Sequence, residues 1–239
     1  MKKNFDLSYY GKIIDEFKSK NYSFIFFNKK IKKKNILLRH DVDFSLEDAL
    51  IIAKFEYKKK IRSNYFFLLS SPFYNILNYK DNLIVKKIKK LGHYVGVHFD
   101  PSIYKINKSK ALHKEMKIFN DTINVQSKVF SLHRPGKLIK YKFGINLINT
   151  YDNKYFKKIK YISDSGGSFK YSYPLDWLKL NKDEPIQLLL HPIWWSSTGT
   201  TRFKVKKMLA NKKEKIKVNI LANFSKKNLK KNFKNFNDF

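Results

Sequence analysis

The chain has 239 residues with 51 Lys and Arg against 19 Asp and Glu, a net charge of +32, 43% hydrophobic and 16% aromatic content, and no Cys. That apolar content excludes a disordered chain, and the missing Cys excludes a disulfide framework, a thiolate metal site and a thiol nucleophile, so any bound metal must use Asp, Glu or His. The lysines are spread along the whole chain with abundant Asn, Ile, Phe and Tyr, as in an AT-rich coding sequence. They form no basic stripe interleaved with aromatics, which argues against a nucleic-acid partner and leaves an anionic substrate or membrane surface compatible.

The N-terminal Met1-Lys2-Lys3-Asn4 has no apolar run behind it, and no stretch approaches a membrane span, so a cytoplasmic location is expected. No Gly/Ser-rich or Pro-rich linker divides the chain. One main domain is expected over residues 1–224, followed by a basic tail over 225–239 that is solvated or able to touch a membrane.

Residues 8–20, with Tyr9, Ile13, Ile14 and Phe17 at helical spacing, predict a first helix, and 22–27 a short aromatic strand. Next comes Ile36-Leu37-Leu38-Arg39-His40-Asp41-Val42-Asp43-Phe44-Ser45. Its apolar run reads as a buried strand, and alternation puts Asp41 and Asp43 on one face with His40 on the other. Two carboxylates this close suit a metal ligand beside a general base, although acids at strand ends also cap helices or bind Arg. Ser45 opens a helix over 46–57.

The rhythm continues with a strand over 63–69, a helix over 81–91 ended by Gly92, and a strand over 94–99 whose alternating face holds Tyr94, Gly96 and His98. A helix over 109–123, a strand over 128–133 stopped by Arg134-Pro135-Gly136, a short strand over 161–164 before Ser165-Gly166-Gly167, and an apolar strand over 186–191 complete it. Beyond Thr200 the chain reads as Lys/Asn-rich helix, with Phe203, Leu209, Ile216 and Leu221 as a docking stripe. Repeated strand-then-helix units predict a parallel α/β sheet or barrel.

In such folds all strand C-terminal ends share one rim, where active sites assemble. His98, His133 and His191, half of the six histidines, stand at such ends together with Asp41, Asp43 and Asp164. One His at a strand end is usually a core or capping residue; this convergence is what points to chemistry. His40, His93 and His113 are read as structural or surface groups. Trp194 and Trp195 either wall the site or belong to the core.

The series Arg39-His40-Asp41-Val42-Asp43, Gly92-His-Tyr-Val-Gly-Val-His-Phe-Asp100, Ser131-Leu-His-Arg-Pro-Gly136, Ser163-Asp-Ser-Gly-Gly167 and Leu189-Leu-His-Pro192 resembles, in order and spacing, the polysaccharide deacetylase family (carbohydrate esterase family 4). The likeness is to a divergent branch with Arg-His-Asp-Val-Asp in place of the usual Thr-Phe-Asp-Asp, often linked to surface-polysaccharide biosynthesis. It implies a distorted (β/α)7 barrel and removal of an N-acyl group, expected to be acetyl, from an amino sugar that is nucleotide- or lipid-linked.

The resemblance also implies residue roles. Asp41 maps to the base and Asp43 to a metal ligand, exchangeable because Val42 is inserted. His98 maps to a second ligand. Ser102 stands where the family has another metal His, and His133 is the substitute that completes an Asp-His-His site for Zn²⁺, with Ni²⁺, Co²⁺ and Mn²⁺ as alternatives. Arg134 resembles the Arg that orients the base, Asp164 its partner, and His191 the general acid that protonates the departing amine, with a backbone N–H near Gly136 facing the oxyanion. Two rivals stay open. A glycosyltransferase would use Asp41-Val42-Asp43 for Mn²⁺ and a sugar nucleotide, and a non-catalytic sugar-binding relative would account for Ser102.

Overall fold

The structure, a computed structural model, describes residues 5–136, 139, 141–144, 146–169, 172–180 and 183–223. Its contacts divide the chain into one compact unit over residues 1–199 and another over 200–239. That division falls ahead of the tail boundary expected at 225, and residues 224–239 lie outside the described residues.

The first unit runs α1 (Leu7–Ser19), β1 (Ser23–Phe24), β2 (Asn35–Val42), α2 (Leu46–Lys58), β3 (Asn64–Phe67), α3 (Tyr79–Lys90) and β4 (Tyr94–Phe99). It continues with α4 (Lys108–Ile123), β5 (Val129–Leu132), β6 (Ile148–Asn149), α5 (Asn153–Phe156), β7 (Lys160–Ser163), α6 (Pro174–Leu180) and β8 (Ile186–Leu190). Every strand pair is parallel. The path is β6-β5-β4-β3-β2-β8-β7, with β1 paired to β2 off that path. Among the described residues no ladder joins β6 to β7, so the curled sheet is a distorted (β/α)7 barrel, open at that seam.

Parallel strands need helical crossovers, and those helices cover the outer face, which is why β2 is buried at all eight of its positions. Alternation then sorts its side chains. Leu37 joins Phe27, Phe66, Val129 and Tyr155 in a core cluster, while His40 on the opposite face reaches α2. Arg39 and Asp41 follow Leu37 inward, toward the C-terminal rim. Gly96 is required where β4 passes β5, because a Cβ there would stand 2.5 Å from the Val129 carbonyl oxygen.

Helix starts are set locally. The Asp6 carboxylate accepts from the Tyr9 amide at 2.9 Å and the Ser45 hydroxyl from the Asp48 amide at 3.1 Å, caps worth about 1 kcal/mol each. The predicted 22–27 strand contracts to Ser23–Phe24, since only those two residues pair with β2. β6, α5 and α6 went unread in the sequence.

The second unit contains α7 (Thr201–Ala222), capped by the Thr200 hydroxyl, which accepts from the Phe203 amide at 3.2 Å. Phe203, Leu209 and Ile216, read as a docking stripe, are exposed. Among the described residues no helix is long and apolar enough to cross a membrane.

Candidate active site

The site is built on the rim from three strand ends. Asp43 follows β2, His98 ends the inward face of β4, and His133 follows β5, where its amide donates to the Phe99 carbonyl at 2.7 Å and so extends the ladder. Asp43 Oδ1 lies 3.2 Å from His98 Nε2 and 3.4 Å from His133 Nδ1. The two ring nitrogens are 3.1 Å apart. One donor atom from each of Asp43, His98 and His133 falls within 4.8 Å of the others, the spacing of ligands around a single ion.

The chemistry of this donor set fits a divalent cation. Asp43 Oδ1 is buried and makes no hydrogen bond, despite the two imidazoles at ion-pair distance. A buried carboxylate oxygen facing two ring nitrogens is costly unless a positive charge sits among them. Burial works to raise the Asp43 pKa, but His133 and His98, with His191 beyond, outweigh it and hold the carboxyl well below the usual range.

His191 follows β8 on the inward-facing parity of Gln187 and Leu189. Its Nδ1 is 2.6 Å from Asp164 Oδ1, and its Nε2 is 3.8 Å from Asp43 Oδ2. Asp164 is buried and also accepts from the His191 amide and, at 2.6 Å, from Trp195 Nε1. Burial disfavours the imidazolium, yet Asp164, Asp43 and Asp41 overcome that and raise the His191 pKa to about 9. A histidine held protonated, with Nε2 aimed at the donor cluster, is arranged to give up a proton there.

Asp41 lies deeper, on the same face as Asp43. Arg39 grips it with both arms of its fork, Nε to Oδ1 at 2.9 Å and Nη2 to Oδ2 at 2.6 Å, and the Ser131 hydroxyl donates to Oδ1 at 3.1 Å. Burial raises the Asp41 pKa, but Arg39 and His98 bring the net shift below the ordinary value. Arg39 is itself buried, donates from Nη1 to Gln187 Oε1 at 3.0 Å and from Nη2 to the Tyr151 hydroxyl at 3.2 Å, and lies 4.6 Å over the Tyr151 ring.

Several expectations are redistributed. The guanidinium on Asp41 is that of Arg39, not Arg134, which is exposed at φ 47° in the turn after His133. Asp164 partners His191 and Trp195 in place of Arg134. Ser102 is exposed and turned onto Asp100 Oδ1, its amide at 2.9 Å and its hydroxyl at 2.6 Å. Trp195 is fully buried and Trp194 nearly so, with the Trp194 ring 6.5 Å from Phe44. His40 and His93 are buried structural groups, and His113 is exposed with Nδ1 2.8 Å from the Ser109 carbonyl. Arg39 and Ser131 were missed as site residues although the signal was present, since each lies two residues before an inward-facing member of the site.

No family model matches the chain, and no curated protein matches it. Among solved structures, a CE4-family pseudoenzyme from Bacillus anthracis aligns at 18% identity over 79% of this chain and 62% of its own, with a TM-score of 0.40. A mutant of the peptidoglycan deacetylase PdaC from Bacillus subtilis aligns at 14% identity over 81% and 98%, with a TM-score of 0.46. A family 4 acetyl xylan esterase from Clostridium thermocellum, in complex with a cobalt ion, aligns at 11% identity over 66% and 73%, with a TM-score of 0.42. Superpositions at these scores and identities establish neither family nor activity.

Proposed function

We propose that the protein is a metal-dependent carbohydrate de-N-acylase, removing an acyl group, acetyl in the first instance, from an amino sugar in surface-polysaccharide assembly. The observation that carries this reading is one constellation: Asp43, His98 and His133 converge within 4.8 Å, and His191, backed by Asp164, faces the same Asp43 carboxylate. A glycosyltransferase built on Asp41-Val42-Asp43 would need both carboxylates free for a metal nucleotide. Here Asp41 is bound to Arg39.

Asp43, His98 and His133 are the residues that would hold the ion. Zn²⁺ suits a mixed carboxylate and imidazole set, with Ni²⁺, Co²⁺ or Mn²⁺ as alternatives. When bound, it would supply Lewis-acid polarisation of the amide carbonyl and a lowered pKa for water. His191 gives the proton from Nε2 to the departing amine, while Asp164 holds Nδ1–H and stabilises the imidazolium beforehand. The attacking water adds its oxygen to the acyl carbon and releases its proton to solvent. The C–N bond breaks as the amine takes the His191 proton, and His191 is reprotonated from solvent. The products are a carboxylate and a free amino sugar. Asp41, which the resemblance makes the base, is held through both oxygens by Arg39, in the place expected of Arg134, and through Oδ1 by Ser131.

The test is acetate release from N-acetylated sugar nucleotides, lipid-linked saccharides and oligosaccharides, alongside metal content of the same protein. Stoichiometric metal and metal-dependent formation of a free amine are expected. Fully metallated protein that releases no acyl group but transfers a glycosyl unit would replace this reading with the transferase. Protein that binds sugar and no metal would replace it with a sugar-binding relative, the alternative that Ser102 favours.

A further inference from the structure

The hydrogen bonds behind His98 form a chain whose protons can be counted. The guanidinium of Arg39 is always charged and donates only, so the bidentate pair keeps Asp41 an ionised acceptor. Ser131 has one hydroxyl proton, and it goes to Asp41 Oδ1 at 3.1 Å. The same hydroxyl oxygen is 2.6 Å from His98 Nδ1. With no proton left on the Ser131 side, that bond forms only if Nδ1 carries the hydrogen. In the neutral imidazole Nε2 is then bare, and Nε2 is the atom that faces Asp43 Oδ1 and His133 Nδ1.

Position supports the same conclusion. His98 and Ser131 are register partners on adjacent strands, so the sheet itself sets them side by side. Asp41 Oδ2 is 3.7 Å from His98 Nδ1, whereas Asp43 approaches Nε2. The two carboxylates therefore address opposite nitrogens of one ring. The far end of the chain is also anchored: Gln187, which accepts from Arg39, spends its amide group on the Thr150 and Tyr155 carbonyls at 3.1 and 2.8 Å.

We propose that Arg39, Asp41 and Ser131 are positioning residues that fix the tautomer and orientation of His98 as a ligand through Nε2, and that Asp41 acts through Ser131 and does not take the proton of the attacking water. This rests on the metal-dependent reading above. Second-layer partners of a ligating imidazole are worth about 10–100-fold in metal affinity. They also give the buried charged pair a use beyond stability, since apolar replacements of buried ion pairs are often no less stable.

The test is titration of the metal-free, full-length protein with Zn²⁺ by calorimetry, with Co²⁺ absorption as a second probe. Ser131→Ala is expected to weaken binding about 10–100-fold with the fold intact by circular dichroism, and Ser131→Thr, which keeps the hydroxyl, to recover most of the loss. The ¹⁵N shifts of the His98 ring in the metal-free protein should report one tautomer, protonated at Nδ1, in the wild type and a mixture in Ser131→Ala. A Ser131→Ala protein with wild-type affinity and an unchanged tautomer overturns the proposal. So does Asp41→Asn that binds metal normally yet loses turnover, which would return Asp41 to the role of base. If the wild type binds no divalent metal, the metal-dependent reading fails first; if it binds metal and only the variants behave as wild type, this inference alone fails.

Discussion

The two faces of β2 each look onto a cluster of histidine and carboxylate, and the two clusters serve opposite uses. Outward, His40 Nε2 lies 2.6 Å from Glu56 Oε1 of α2, which also accepts from Tyr10. Glu56 Oε2 accepts from Ser63 at 2.6 Å and Tyr65 at 2.7 Å, and His93 completes the cluster with Nε2 on the Ala53 carbonyl at 3.0 Å. Glu56 and His40 are wholly buried. Inward, Asp43 meets His98, His133 and His191 at 3.2 to 3.8 Å with one oxygen unbonded. A carboxylate with both oxygens satisfied by donors ties α1, α2, β2 and β3 together. One with an oxygen left unbonded beside two ring nitrogens at the rim has a place for a cation. Histidine near carboxylate is thus no signature by itself, nor is a lone unbonded ring nitrogen such as His40 Nδ1; what separates site from scaffold is whether both carboxylate oxygens have donors, as on Glu56, or one is left unbonded, as on Asp43.

The sharpest way to break this contrast is to remove an inward ligand. Asp43→Ala or His98→Ala should abolish stoichiometric metal binding and bring acyl release below detection, with the thermal midpoint close to wild type; elemental analysis and turnover on one preparation check both. Retention of full metal by His98→Ala would remove it from the donor set.

His191→Ala comes next. Loss of a positioned proton donor costs about 10²–10⁴-fold in turnover, and the metal should remain bound, since His191 lies outside the three-residue donor set. Metal lost along with activity would make His191 a ligand and dissolve the distinction drawn here.

On the outward face the loss should be of stability. Glu56→Gln leaves buried partners uncompensated and should cost about 3–5 kcal/mol in chemical denaturation, with metal stoichiometry of the folded fraction unchanged. Burial raises the Glu56 pKa, but His40, then His93 and Ser63, carry it down from 4.5 to about 2. A depressed carboxyl stabilises the fold fully above its ordinary value, so this contribution, of order 3 kcal/mol, is lost as pH falls from about 4.5 to about 2. A denaturation series that shows the same acid-dependent loss in wild type and Glu56→Gln would assign that titration elsewhere.

The smallest effect belongs to residues 225–239. Their lysines follow the composition of the whole chain, and no site motif lies beyond Trp195. Truncation there should leave turnover on a soluble substrate unchanged within error, whereas a defect confined to lipid-linked substrate would reveal a membrane contact.

What the sequence determined was local and periodic. Alternation placed Asp41 and Asp43 on one face and His40 on the other, because side-chain direction along a strand follows from parity alone. The strand-then-helix rhythm implied a parallel sheet, and a parallel sheet brings His98, His133 and His191 to one rim wherever they lie in the chain. β6 has two residues, α5 four and α6 seven, too few for periodicity to register. The tertiary structure decided the partners. Which Arg meets Asp41 turns on Arg39 sharing its strand face while Arg134 sits in a turn at positive φ. That Glu56 is scaffold and Asp43 is site depends on which donors other elements bring within 3 to 4 Å. No sequence period encodes that distance, because it is fixed only when the sheet curls and the helices close over it.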